Sequence, residues 1–260
     1  MKRFAGALIA GLACMSAAPA GPGDACSVAA HLVQADAALP RVAAAIKAKT
    51  LVVIVAGTGS SMLPGQTGPD AAYPARLEAA LQKKLPGINV KVISQAKSRQ
   101  TAADMASTFP KVLKDEKPAL VVWQTGTFDA MRGIGTDGFQ ATLEEAVGKL
   151  HGGGADLIFV NPQFNPRTDA VIATGPYTEA MRWVALGNAL NLFDRQGIMR
   201  QWGELGTFDL LAATKSLDTA AKVHDCIGRL LADLILQGVA VEPEDKTKID
   251  DNGNKDKKSQ

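Results

Sequence analysis

Residues 51–56 read LVVIVA, an unbroken run of aliphatic and mostly β-branched side chains that stops at Gly57. A strand with one wet face alternates apolar and polar residues, whereas a run without alternation belongs to a strand buried on both faces of a parallel sheet. Three more short apolar runs follow, at residues 90–94, 119–123 and 156–160, and amphipathic stretches at 74–84, 101–114 and 139–150 separate them. Strand and helix in alternation require parallel pairing with right-handed crossovers, which is a doubly wound α/β domain. A further helix is expected over 178–190, a weak edge strand at 191–193 and a long final helix over 218–237. Ligands of such sheets bind at the carboxyl ends of the strands, so function is sought in the loops that begin at Gly57, Gln95, Gln124 and Asn161.

The two ends read differently. Lys2-Arg3, an apolar run over residues 4–15 and Ala18-Pro19-Ala20 make a basic start, a greasy stretch and a small-x-small cleavage site. That pattern predicts a signal peptide over residues 1–20 and a periplasmic or secreted protein. Lipoprotein anchoring through Cys14 is the alternative, disfavoured because Gly11 stands where a large aliphatic residue is usual. No later segment approaches the roughly 20 apolar residues of a membrane span, so no transmembrane anchor is expected after cleavage. The mature part, residues 21–241, is long enough for one core, and residues 242–260 form a polar tail with too little apolar surface to order itself. Lysines and acids alternate in that tail and the whole chain carries a net charge of only +2, so a nucleic-acid partner is not expected. Removal of Cys14 leaves Cys26 and Cys226, which are predicted to pair; two separate buried thiols are the alternative.

The first loop, residues 57–65 (GTGSSMLPG), follows its strand directly. A dinucleotide fingerprint needs glycine where Met62 stands, and a P-loop needs Gly-Lys-Ser/Thr, so a nucleotide cofactor is not predicted. What remains is a pair of serines, Ser60 and Ser61, which either cap the next turn or present a nucleophile. His31 and His151 are better explained by local structure, and no close cluster of His, Cys and Asp has metal-ligand spacing, so no metal is expected.

The stretch Gly59-Ser-Ser-Met-Leu-Pro-Gly65 resembles the first block of SGNH/GDSL hydrolases, and four later stretches resemble the superfamily in order and spacing: residues 73–87, 94–105, 121–133 and 161–167. The resemblance implies a flavodoxin-like three-layer α/β/α sandwich with a parallel sheet, in agreement with the strand and helix pattern. It places the nucleophile at Ser61, although holding the spacing to Tyr73 fixed moves that position to Gly59. The oxyanion hole of the superfamily then falls on the backbone amide at Ser61, on Ala96 and on Phe128, in a cleft with Gly59 and Ser60; Gln124 or Thr127 is the polar donor available in place of the missing asparagine, with a buried, satisfied threonine as the alternative. Ala96 takes the place of a glycine, and Phe128 that of the asparagine donor.

The Asp-x-x-His of the superfamily, which supplies base and orienting carboxylate, does not occur in this chain. His224 is the candidate base, with Asp129 to orient it; a packing histidine is the alternative. The resemblance therefore implies one of two functions. One is a serine esterase or acyl-transfer enzyme acting on O-acylated carbohydrate or small esters, with Ser61, His224 and Asp129 as its catalytic residues. The other is an inactive binding protein of the same fold for an envelope glycan, an acyl ligand or a protein partner.

Overall fold

The computed structural model describes residues 24–211 and 217–242. The predicted signal peptide and all but the first residue of the predicted tail lie outside these residues. In chain order the elements are α1 (Pro40–Lys47), β1 (Thr50–Ala56), α2 (Gly68–Ala71), α3 (Tyr73–Lys84) and β2 (Asn89–Ser94). Next come α4 (Ala102–Ala106), α5 (Phe109–Glu116), β3 (Leu120–Gln124), α6 (Thr127–Met131), α7 (Thr136–Gly152) and β4 (Asp156–Val160). The last are α8 (Pro166–Asp169), α9 (Gly175–Gly187), β5 (Asn191–Phe193), α10 (Arg195–Glu204) and α11 (Leu217–Ala240).

All pairings are parallel and the sheet order is β2-β1-β3-β4-β5. Successive side chains of a strand point to opposite faces, and here both faces are covered. Val53, Val55, Val122 and Val160 pack with α3 and α11, while Ile54, Val121, Trp123 and Phe159 pack with α4, α5, α7 and α9. This is the expected α/β/α sandwich. The order reverses direction at β1, so the loops after β1 and β3 flank the crevice where ligands of such sheets bind.

One expected element is divided. Residues 101–114 form two helices, α4 and α5, because Pro110 has no N–H to continue the ladder into α4. Thr101 and Asp104 cap α4 reciprocally, and the hydroxyls of Ser107 and Thr108 close its end on Asp104 and Met105 carbonyls. Asp156, at the start of β4, accepts from Arg41 N–H (2.8 Å) and Val42 N–H (3.0 Å), placing a carboxylate at the N-terminus of α1.

The segment before α1 is laced to the far end of the chain. Asn191 bonds the backbone of Asp36 and Ala37, Gln201 the N–H of Ala29 and Gln237 the N–H of Ala35. Leu39 N–H donates to Gly238 O. Cys26 and Cys226 form the predicted disulfide, with a sequence separation of 200. The guanidinium of Arg229 lies against Cys26 Sγ and pairs with Asp24 and Asp225.

Candidate functional site

After β1 the chain makes a 3₁₀ turn, Gly59–Ser61, which folds Ser61 back beneath the strand end. Gly57 makes this possible: a Cβ there would lie 2.2 Å from Ser61 Oγ and 2.8 Å from Ser61 Cβ. Gly57→Ala is therefore expected to lower stability by about 2 kcal/mol, the scale of a forced overlap in a packed site. Denaturant unfolding checks it, with Ser61→Gly in the same background expected to recover part of the loss; an unchanged midpoint in Gly57→Ala would show that the turn is not built on this contact.

Ser61 is 1% exposed. Its hydroxyl donates to Gln124 Oε1 at 2.9 Å, which leaves the Tyr73 hydroxyl, 3.0 Å away, to donate to Ser61 Oγ. Burial pushes the Tyr73 phenol above its ordinary value, which keeps its proton in place for that bond. Gln124, fully buried at the end of β3, also has the N–H and hydroxyl of Thr58 and the hydroxyl of Ser60 within reach of the same carbonyl oxygen. An amide oxygen takes no proton at neutral pH, so this network fixes Ser61 as a bridge between the β1 loop, β3 and α3. Among the described residues, no imidazole or carboxylate bonds Ser61.

His224, on α11 and 5% exposed, points elsewhere. Its Nδ1 accepts from Tyr73 N–H at 2.9 Å and so caps the first turn of α3, which leaves the single ring proton on Nε2. Burial, then the nearby Arg195 charge, lower its pKa to about 3. A base that weak is far from the neutral range in which proton abstraction is efficient. Asp129 faces neither His224 nor Ser61. It is 1% exposed and accepts from Ala102 N–H (2.9 Å), Gly126 N–H (3.3 Å) and the Thr125 hydroxyl (3.3 Å), joining the N-termini of α4 and α6. Burial raises its pKa against the opposing pull of these donors.

The cleft residues divide likewise. Gly59, Ser60 and His224 line one cleft of about 190 Å³, together with Gln163, Arg195 and apolar side chains. A Cβ on Gly59 would meet only Ser98, at 3.3 Å or more, so this position has room for a side chain beside the cleft. Ala96 lines two other depressions, one of them shared with Ser61. Phe128, where an asparagine donor was sought, is half-buried with Arg132 over its ring at 5.9 Å. Thr127, a candidate polar donor of the cleft, has a buried hydroxyl with no partner among the described residues.

Two residues of this region escaped the sequence reading, Tyr73 and Arg195. Arg195 follows β5, whose carboxyl end is as much a place for function as those of β1 to β4. The dipeptide Asp194-Arg195 directly after the edge strand was the available signal: Asp194 caps α10 through Gly197 N–H and is held by Asn161 Nδ2 at 2.7 Å, which fixes Arg195 at the first helical position.

The sequence matches the non-GDSL lipase-like family over residues 25–241. It is 33% identical over 90 residues to "Esterase TesA" of Pseudomonas aeruginosa, a stretch that spans 34% of this chain and 45% of that esterase. Among solved structures, a crystal structure of TesA superposes with a TM-score of 0.54 at 21% identity, covering 70% of this chain and 99% of that one. LAE5, an alpha/beta hydrolase enzyme from the metagenome of Lake Arreo, Spain, gives 0.58 at 22% identity, with coverages of 74% and 97%. A mutant of Axe2, an acetyl-xylooligosaccharide esterase of Geobacillus, gives 0.56 at 17% identity, with coverages of 74% and 95%. These likenesses show the fold, and the family match covers nearly every described residue: the chain belongs to the non-GDSL lipase-like family.

Proposed function

We propose that this protein is a non-hydrolytic member of its family, which keeps the cleft of an esterase and uses it to bind a small ligand. The observation that carries the reading is the state of Ser61, buried with its hydroxyl held between Tyr73 and Gln124. Catalytic groups of this kind act as a unit, and the loss of one member removes most of the rate. Here the serine, His224 and Asp129 each serve a separate structural contact. Bulky replacements at Gly59 would then obstruct ligand, whereas Ser61→Ala would leave affinity nearly unchanged.

The hydrolase reading retains one specific support. Ser60 lines the same cleft as His224, in a chain that is 33% identical over 90 residues to an esterase. On that reading Ser60, or Ser61 after rearrangement, attacks an O-acylated carbohydrate or another small ester.

A fluorophosphonate probe separates the two. We expect no serine adduct by peptide mass spectrometry in protein shown to be folded by circular dichroism. An adduct on Ser60 or Ser61 that disappears in His224→Ala would replace the binding reading with catalysis.

Export belongs to the same proposal. The pattern of residues 1–20 supports a signal peptide, and the Cys26–Cys226 disulfide suits the oxidising periplasm or exterior. No helix of the described residues is long and apolar enough to cross a membrane.

A further inference from the structure

Arg195 is 0% exposed, and among the described residues it has no carboxylate partner. Its Nη2 donates to Gln163 Oε1 at 3.1 Å and its guanidinium carbon lies 5.5 Å from the centre of the Tyr73 ring. Nε and Nη1 are buried with no acceptor. An arginine stays charged under these conditions: burial lowers its pKa only to about 10. A buried cation that lacks both a counter-ion and acceptors is among the more costly arrangements a fold can hold. The same side chain lines the 190 Å³ cleft, whose other walls supply the polar groups of Ser60, Gln163, Asn165 and His224 and, among the described residues, no acid. The rest of the lining is apolar, from Met62, Leu63, Phe164, Met199, Leu210 and Val223.

We infer that the cleft is a binding site for a small carboxylate with a short apolar tail, its head group held by Arg195 and its tail by the surrounding methionine, leucine and phenylalanine side chains. The ligand would supply the negative charge and the acceptors that Arg195 lacks, through charge-assisted hydrogen bonds of the kind guanidinium makes with carboxylates. His224 suits this role better than proton abstraction. With Nδ1 engaged by Tyr73, it is a neutral ring that can only donate from Nε2, and burial, reinforced by the Arg195 charge beside it, keeps it neutral. The inference deepens the binding reading above by naming the ligand class of the same cleft.

The test is calorimetric titration of the folded protein with hexanoate, acetate and inorganic phosphate, on the wild type and on Arg195→Met. We expect saturable 1:1 binding of hexanoate, at least tenfold weaker for acetate and phosphate, and at least a tenfold loss in Arg195→Met. That variant removes an unmatched buried charge and keeps apolar bulk, so its ligand-free melting temperature should equal or exceed that of the wild type. A melting temperature well below the wild type would instead make Arg195 a structural residue and overturn the inference. So would the absence of hexanoate binding up to 10 mM, roughly the weakest affinity of interest, binding of phosphate alone, or hexanoate affinity unchanged in Arg195→Met. An adduct on Ser60 or Ser61 that disappears in His224→Ala would end the non-hydrolytic reading without touching these results, so the two failures are distinguishable.

Discussion

The double variant Cys26→Ala, Cys226→Ala is expected to lose about 3–5 kcal/mol of unfolding free energy. The disulfide joins residues 200 positions apart, and the chain-entropy model gives roughly 5 kcal/mol for a loop of that length, while natural disulfides removed from small domains cost about 2–5. Both cysteines are nearly inaccessible, at 2% and 3% exposure, so alanine leaves small cavities that add to the loss. Urea unfolding monitored by circular dichroism measures it. Wild-type protein unfolded in the presence of a reductant should follow the variant. A shared midpoint for oxidised and reduced protein would mean that the hydrogen bonds of residues 29–39 already hold this end without the bridge.

The second large effect is in the pH dependence of stability. His224 has a folded pKa of about 3, against about 6.5 in the unfolded chain. Above pH 6.5 both states are neutral at this ring and its contribution is fully present. As the pH falls the unfolded state gains a proton that the folded state refuses, so stability is lost progressively down to about pH 3. The full span amounts to on the order of 5 kcal/mol. Asp129, Asp156 and Asp169 act in the opposite sense. Burial raises their folded pKa values, so their contributions are present at low pH and lost as pH rises through those values. The comparison must therefore be made between wild type and His224→Asn, whose side-chain oxygen can still accept from Tyr73 N–H. Between pH 6 and 4 the wild type should lose about 1.4 kcal/mol more per pH unit than the variant. Parallel curves would show that His224 takes up its proton in the folded state.

The scaffold was legible because its signals are local and strong. The uninterrupted apolar runs at 51–56, 119–123 and 157–160 allow few alternatives to buried parallel strands, and even the short edge strand at Asn191–Phe193 stands where the pattern put it. The break in α4 and α5 was written in Pro110, but helical periodicity runs through Ser107 and Thr108 and conceals it. The site was less legible for a physical reason. A motif records which residues occur near a strand end, not which way a turn sends each side chain. In Gly59-Ser60-Ser61 the 3₁₀ turn puts consecutive residues on different sides, so the serine that best fits the block is the one turned inward. Arg195 was missed because arginine is ordinarily read as surface; nothing short of the packed structure reveals that its guanidinium has been carried beneath Tyr73.

The lacing of residues 24–39 to α10 and α11 sets an order in which the molecule can be completed. A chain emerging from the ribosome presents Cys26, Ala29, Ala35 and Leu39 long before their partners Cys226, Gln201, Gln237 and Gly238 exist. Until α11 arrives, Val53, Val55 and Val122 lack much of their cover, and the growing sheet carries an apolar face open to other molecules. A chain shortened before α11 therefore leaves this face of the sheet uncovered, because the final helix covers both the sheet and the first segment.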